Sequence, residues 1–188
     1  MLTTRPLDES TWPDFAALVE ANNGVWGGCW CMWYHSKAES EEPPEVKREL
    51  KRCRVAEGRT HASLVYEGEA CVGWCQYGPP AELPRIHNSR AYNKAELEAA
   101  DWRITCFFVG KGHRGKGVGR TALTGAIAQI GARGGGRVEA FPENTEGRKV
   151  SAGFLFNGTL AMFAREGFET AAQIGKHKWV VVREVGKG

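Results

Sequence analysis

The sequence predicts an α/β domain in which helices cover a central β-sheet. Segments with helical periodicity alternate with short runs rich in β-branched and aromatic residues. The run WRITCFFV, residues 102–109, is almost entirely apolar, as expected of a central strand covered on both faces. No internal repeat or low-complexity linker interrupts the 188 residues, a length typical of one domain. We therefore predict a single domain over residues 1–188.

Composition and charge narrow the function classes. The formal net charge of +3 is too small to indicate nucleic-acid binding by itself. No window approaches the apolar length of a membrane-spanning helix, and the N-terminal residues MLTTRPLDES do not resemble a signal peptide. Six cysteines without a secretory signal favour reduced thiols. We therefore expect a cytoplasmic protein with no nucleic-acid partner and no association with a membrane.

Two helices are predicted in the first third of the chain. TWPDFAALVEAN, residues 11–22, has apolar residues on one face and Thr11 as its predicted N-cap. PPEVKRELKRCRVAEG, residues 43–58, begins at two prolines and ends at a glycine. Its charges pair at i,i+3, which indicates a solvated face rather than a nucleic-acid surface. Its narrow apolar stripe consists of Val46, Leu50 and Cys53.

The remaining elements follow in order. Residues 61–78 predict a β-hairpin with its turn at residues 67–69, and the polar stretch 79–101 predicts a long connection with one short helix. After the strand at 102–109, a glycine-rich loop leads into a helix with apolar residues at i+4 spacing. Three further elements are predicted: a strand in GGGRVEAF, a short helix in GTLAMFAREGF and a final strand in KHKWVVVREV.

The loop VGKGHRGKGVGR, residues 109–120, fits three phosphate-binding motifs at once. From Gly110 it gives G-x-G-x-x-G, the dinucleotide fingerprint, and also all but the last letter of the P-loop G-x-x-x-x-G-K-[ST]. From Arg114 it gives R-x-x-G-x-G. Each motif places backbone N–H groups around a phosphate at the start of a helix. Residues 102–138 hold seven Lys or Arg and no acidic residue, which favours an anionic ligand, although a solvated basic face is the alternative.

Two of the three motifs meet difficulties. A P-loop needs a hydroxyl after its lysine to hold Mg²⁺, and Gly117 occupies that position. A dinucleotide fold is supported by Glu139, which ends the next strand where a ribose-binding acid belongs. That fold opens with βαβ units, however, whereas the residues before the loop are predicted as helices and a hairpin. A dinucleotide-binding oxidoreductase therefore remains a weaker alternative.

The third motif is part of a wider resemblance. FFVGKGHRGKGVGRTAL resembles motif A of the GNAT superfamily of N-acetyltransferases, in which a strand ending in V-x-P-x-x-R-G-x-G-h-G leads into a helix. LAMFAREGF resembles the A-x-x-L-Y-x-x-x-G-F helix of that family, and the order of elements matches from residue 1 to about residue 185. The resemblance implies the GNAT acyl-CoA N-acyltransferase fold, a mixed central β-sheet flanked by helices.

The resemblance also implies a function and a binding site. It implies transfer of the acetyl group of acetyl-CoA to the primary amine of a small molecule or peptide, by direct attack in a ternary complex and without a metal. Backbone groups of Phe108 and Val109 are expected beside the pantetheine and the acetyl carbonyl, where an N–H can stabilise an oxyanion. A homodimer is a further expectation. The expected cradle for the diphosphate consists of Arg114, Gly115, Lys116, Gly117, Val118, Gly119 and Arg120.

The sequence departs from the family pattern at two positions. Phe163 stands where many GNAT enzymes carry a tyrosine that protonates the departing thiolate, and phenylalanine cannot donate a proton. This departure keeps open the alternative of a non-catalytic acyl-CoA sensor. Asn157 is shifted by one position from the usual CoA-contacting asparagine, so Thr159 is the predicted contact instead.

The general base is predicted by side-chain chemistry alone. An ammonium must lose a proton before it attacks, which requires a carboxylate, an imidazole or a water within hydrogen-bond reach. Glu139 is the first candidate, and a structural ion pair is its alternative. His113 is expected near phosphate, and Asp101 and Glu143 are weaker candidates.

The segment GVWGGCWCMWYH, residues 24–35, holds three Trp, one Tyr and two Cys. Its C-x-C followed by His35 resembles half of a zinc site, but no matching pair occurs elsewhere, so we expect no metal. Core packing is one interpretation of the aromatic residues. The other is that Trp30 and Trp33 form an apolar wall for the acceptor amine.

Overall fold

The computed structural model describes all 188 residues and shows one seven-stranded sheet. The sheet order is β1-β2-β3-β4-β5-β7-β6, in which β4 and β5 are parallel and every other neighbouring pair is antiparallel. The predicted mixed sheet is therefore confirmed, and the single parallel pair excludes a doubly wound dinucleotide fold. The strands are β1 Leu2–Pro6, β2 His61–Glu67, β3 Ala70–Gly78, β4 Trp102–Val109, β5 Gly136–Ala140, β6 Glu169–Gln173 and β7 Trp179–Val185.

Six α-helices connect these strands. The predicted helices near both termini and after the glycine loop are all present, whereas β1, α2 and β6 were not predicted from the sequence. Each of those three elements has only five residues, too few for a periodicity to emerge. None of the helices combines the length and apolarity needed to cross a lipid bilayer. The helices are α1 Trp12–Glu20, α2 Lys37–Glu41, α3 Pro44–Ala56, α4 Ser89–Lys94, α5 Val118–Ala132 and α6 Leu160–Arg165.

The sheet separates two cores because alternate side chains of a strand point to opposite faces. On one face, Leu64 of β2 and Trp74 of β3 pack with α1, α3 and the aromatic segment 24–35. On the other face, Val65 and Cys75 pack with α5 and α6. Every long strand of the sheet is thus covered on both sides, as the apolar run in β4 predicted.

Two details of the predicted helices are wrong. Thr11 does not cap α1 through its side chain, because its hydroxyl donates to Pro6 O at 2.8 Å. The buried face of α3 is formed by Lys51 and Val55, whereas Val46 is 38 % exposed. The sequence pattern failed here because a lysine occupies the buried position, where the helical period alone does not predict it.

Strands β4 and β5 separate after a short pairing, and this separation positions the site. They pair only from Trp102 to Ile104, opposite Val138 to Ala140. Beyond that point the segment 155–158 lies beside β4, where the N–H of Phe107 donates to Phe156 O at 2.6 Å. The separated end of β4 leads directly into the glycine loop.

Candidate active site

The glycine loop joins β4 to α5 with a backbone that requires glycine. Gly112, Gly115 and Gly117 have φ angles of 88°, 76° and 84°, a left-handed region in which a side chain is strained. Gly117 is the N-cap residue of α5. The first N–H groups of this helix have no intrahelical acceptor, so the loop and the helix end together present donors and a positive dipole end to an anion.

A cavity of about 410 Å³ lies beside this loop, and we call it the loop cavity. Lys116 is exposed on the outer side of the loop. Val118 is buried, and Arg120 pairs with Glu166 at 2.7 Å. The structure therefore places Lys116, Gly117, Val118 and Arg120 outside the lining. The predicted residues that line the cavity are Phe108, Val109, Arg114, Gly115, Gly119 and Thr159.

The direction of the β4 backbone differs between neighbouring residues. The N–H of Gly110 donates to Val72 O of β3 at 2.9 Å. Because N–H groups alternate in an antiparallel pair, the N–H of Val109 points away from β3, to the open side, and that of Phe108 points to β3. Phe108 instead contributes its ring, which meets Trp26 edge-on at a centroid distance of 5.9 Å.

Residues 157–159 divide their roles between packing and the cavity. Thr159 is the N-cap of α6, and its hydroxyl accepts from the N–H of Met162 at 3.2 Å. Asn157 is buried, and its amide donates to Thr105 O and to the hydroxyl of Tyr34. Thr159, and not Asn157, lines the loop cavity.

Glu139 lies in a buried ion pair. Its side chain is 1 % exposed, and Nε of Arg103 donates to Oε1 at 2.6 Å. The hydroxyl of Tyr92 donates to Oε2 at 2.8 Å. Both oxygens are occupied and the residue is absent from the lining of the loop cavity, which argues against the predicted role as general base. The structure therefore corresponds to the alternative, a structural ion pair.

The other candidate bases are also engaged elsewhere. The carboxylate of Asp101 accepts from the N–H of Arg137 at 2.8 Å. Glu143 lies 3.2 Å from Arg148 and 3.6 Å from Lys178. A third candidate, His113, contacts the carboxylate of Glu67 at 3.1 Å.

Phe163 is buried in the core beneath α6. Its ring meets Phe107 and Phe168 edge-on at centroid distances of 5.9 and 5.0 Å. The preceding residue, Met162, lines the loop cavity, but Phe163 does not. The position of the tyrosine in the family pattern is thus used for packing in this chain.

A second cavity of about 360 Å³ adjoins the first, and we call it the aromatic cavity. It shares Trp26 and Gly153 with the loop cavity, so the two spaces meet at these residues. None of the residues that line it is acidic. The lining residues are Trp26, Cys29, Cys31, Trp33, Tyr34, His87, Cys106, Gly153, Phe154 and Phe156.

The two tryptophans predicted as an acceptor wall lie in different environments. Trp30 is 4 % exposed and stacks on Trp12 at 6.0 Å in the core. Trp33 lines the aromatic cavity and stacks on His87 with ring centroids 3.7 Å apart. Sequence reasoning missed the contributions of His87 and residues 154–156, which lie far from the aromatic segment along the chain.

The titratable groups of the aromatic cavity are held neutral at neutral pH. Burial, with Lys178 and Arg85 nearby, lowers the pKa of His87 to about 4. Burial raises the pKa of the Tyr34 hydroxyl well above its usual value of 10. The cavity is therefore a weakly polar space bordered by an uncharged imidazole and an uncharged phenol.

The half zinc site of the sequence is replaced by hydrogen bonds. Nδ1–H of His35 donates to Glu82 O at 2.8 Å, and Nε2 lies 2.9 Å from the amide nitrogen of Gln76. The sulfur of Cys31 lies 3.4 Å from that of Cys106. No group of three or more His, Cys, Asp or Glu is arranged to hold a metal ion.

Comparison with known proteins gives a family match. The model of the acetyltransferase (GNAT) family matches residues 26–154, more than half of the chain. The match includes the aromatic segment, β4, the glycine loop and α5. No curated protein matches the sequence.

Several solved structures share the fold at low sequence identity. A GNAT-family protein from Desulfovibrio desulfuricans is 16 % identical, with a TM-score of 0.55 over 99 % of this chain and 100 % of its own. PaiA N-acetyltransferase from Thermoplasma acidophilum, solved with coenzyme A, is 14 % identical, with a TM-score of 0.55 over 98 % and 99 %. YncA from Salmonella typhimurium, solved with acetyl-CoA, is 16 % identical, with a TM-score of 0.54 over 100 % and 95 %.

Proposed function

The chain belongs to the GNAT family of acyltransferase enzymes, and from this premise we propose that it transfers the acetyl group of acetyl-CoA to a primary amine. The proposed reaction is a direct attack in a ternary complex. The observation that carries the proposal is the junction of two cavities beside β4. The loop cavity has the anion-binding loop, the aromatic cavity has room for an acceptor, and both meet at Trp26 and Gly153.

The loop cavity fits a CoA diphosphate by shape and by charge. A Cβ on Gly119 would point to the cavity, with Met162 Sδ at 3.8 Å as its nearest neighbour, so glycine leaves that space free. Arg114 adds a cationic side chain to the lining, and the loop glycines allow the backbone to approach closely. Two structural neighbours of this fold were solved with coenzyme A or acetyl-CoA, which supports the same ligand here.

The backbone of β4 is suited to polarise a carbonyl. Acetyl-CoA, when bound, supplies the thioester carbonyl that an amine attacks. The N–H of Val109 faces the open side of β4, and the N–H of Phe107 does the same but donates to Phe156 O. A fixed backbone donor at an oxygen that gains negative charge accelerates acyl transfer by about 10²–10³-fold.

Proton transfer cannot use a carboxylate of these cavities, because none lines them. An apolar cavity disfavours the charged form of an amine, so the acceptor loses its proton as it enters. His87 is the uncharged imidazole on the cavity wall that can accept a hydrogen bond from the amine. The thiolate needs no tyrosine to leave, because thiol pKa values are only about 8.5.

Ligand binding and turnover test the proposal separately. Acetyl-CoA at 100 times its Kd should stabilise the fold by about 2.7 kcal/mol, a melting shift of about 5–11 °C. NAD and Mg-ATP at the same concentration should give no shift. Release of free thiol from acetyl-CoA should then depend on an added primary amine. A melting shift without thiol release from any amine would instead establish an acyl-CoA sensor, the alternative that Phe163 suggests.

A further inference from the structure

We propose that the aromatic cavity selects a primary amine with an aromatic body and a carboxylate, such as an aromatic amino acid or an aminobenzoate. This inference rests on the acetyl transfer proposed above and names its acceptor class. It comes from three features of the cavity: its walls, the absence of acidic residues and the cations beside its outer end.

The walls are suited to a flat ring. The stacked pair of Trp33 and His87 is nearly coplanar, with an angle of 9° between the rings. Phe154 and Phe156 line the cavity across from the segment that carries Trp26. Phe154 is exposed to solvent, so its ring is free to close on a bound molecule. Aromatic rings favour offset-stacked and edge-on contacts, and these side chains supply such surfaces.

The charges oppose a cationic body. No carboxylate lines the aromatic cavity, and His87 on its wall is uncharged at neutral pH. Beyond His87 and Phe156 an outer cavity contains three cations, Arg148, Lys149 and Lys178, against one carboxylate, that of Glu143. A polyamine or a lysine-rich peptide would place positive charge in this field. A carboxylate on the acceptor would be attracted to it.

Lys178 is held at the boundary between the aromatic and outer cavities. Its Nζ donates to Asn157 Oδ1 at 2.8 Å and lies 3.6 Å from Glu143. The same nitrogen lies 5.4 Å from the ring centroid of Phe156, which lines both cavities. The side chain is only 14 % exposed. A carboxylate bound at Lys178 would direct the amine to the opposite end, where Trp26 and Gly153 border the loop cavity.

The test compares amines that differ only in a carboxylate. Thiol release from acetyl-CoA is measured with phenylalanine against phenethylamine, with 4-aminobenzoate against aniline, and with spermidine. In each pair the carboxylate-bearing amine should have a kcat/KM at least tenfold higher, and spermidine should be the poorest substrate. Addition of acetyl-CoA alone to the protein, followed by melting, monitors cofactor binding in the same preparation.

Two variants assign the effect to the site. Lys178→Met removes the charge but keeps an apolar stem over Phe156, so it should raise the KM of phenylalanine at least tenfold and leave that of phenethylamine unchanged. Lys176→Met, an exposed lysine of the same hairpin, should change neither. Phe154→Ala, which removes an exposed wall residue at no cost to the core, should raise the KM of both aromatic amines and leave the melting temperature unchanged.

The outcomes separate this inference from the proposed function. Turnover of spermidine or phenethylamine without preference for the carboxylate-bearing partner would overturn the acceptor class alone, as would an equal loss for both partners in Lys178→Met. Thiol release from no amine, by a protein that acetyl-CoA stabilises, would overturn acetyl transfer itself.

Discussion

The loop cavity and the aromatic cavity are built in opposite ways. The loop cavity depends on the backbone of one contiguous stretch, from Val109 to Gly119, in which glycines set the conformation. The aromatic cavity depends on side chains from separate segments, residues 26–34, His87, Cys106 and residues 153–156. The difference teaches that an anion cradle made of local backbone is predictable from a motif, whereas a wall assembled by the fold is not.

The two regions also differ in backbone strain. A Cβ on Gly115 or Gly117 meets no atom within 4 Å, so the loop positions are open. In the aromatic segment the non-glycine residues Val25 and Trp26 have φ angles of 53° and 44°, a region that costs a β-branched or bulky residue energy. A Cβ on Gly28 would lie 2.5 Å from Pro44 Cβ. Tertiary contacts therefore impose the shape of the aromatic segment.

The largest expected effect separates core from wall within the aromatic segment. Trp30→Ala should cost about 3–5 kcal/mol of unfolding free energy, because it empties a buried stack against Trp12. Trp33→Ala should raise the KM of the amine more than that of acetyl-CoA. Urea denaturation and steady-state kinetics on both variants check this. Equal losses of stability in both would show that Trp33 is also core.

The second effect tests a residue outside both cavities. Glu139→Gln leaves Arg103 buried without its counter-charge, and should cost about 3 kcal/mol of stability. The kcat of the folded variant should change little, because the carboxylate does not line the loop cavity. Thermal melting and thiol release are measured on one preparation. A large loss of kcat with unchanged stability would restore Glu139 as the general base.

The third effect concerns the loop cavity alone. Gly119→Val puts a branched side chain into the space of the diphosphate without a positive φ to strain, so it should remove the melting shift of about 2.7 kcal/mol that acetyl-CoA gives. Lys116→Ala is the matched control, since this exposed side chain lies outside the cavity and the backbone holds the anion. Loss of binding in Lys116→Ala with binding intact in Gly119→Val would contradict the assignment of the loop.

The sequence predicted the parts of the site whose information is local. The strand at 102–109, the loop and α5 were predicted because an apolar run, glycines and a helical period adjoin one another. Glu139 was misplaced because the period of a strand does not reveal that Arg103 and Tyr92 lie on either side of it. The aromatic wall was only partly foreseen, since no local signal connects Trp33 with His87.

The smallest expected effect is a pH dependence that belongs to the aromatic side of the molecule. Beneath the aromatic segment His35 is buried, and its Nε2 lies near the amide of Gln76 and near Nζ of Lys51. Burial, with Lys51 as the next cause, lowers the pKa of His35 well below its usual 6.5. Burial and nearby cations lower the pKa of His87 in the same direction, to about 4. The loop cavity contains no comparable buried imidazole.

The sign of the effect follows from which state binds the proton first. As the pH falls below about 6.5, the unfolded chain takes up protons at His35 and His87 while the folded protein does not. Stability is therefore complete above pH 6.5, and each histidine removes up to about 1.4 kcal/mol for each pH unit below it until its folded pKa is reached. Urea denaturation at pH 7.5, 6.5 and 5.5 measures the slope. His35→Gln should flatten it and His177→Gln, at a half-exposed histidine, should not. An unchanged slope in His35→Gln would show that the buried imidazole is protonated in the folded protein.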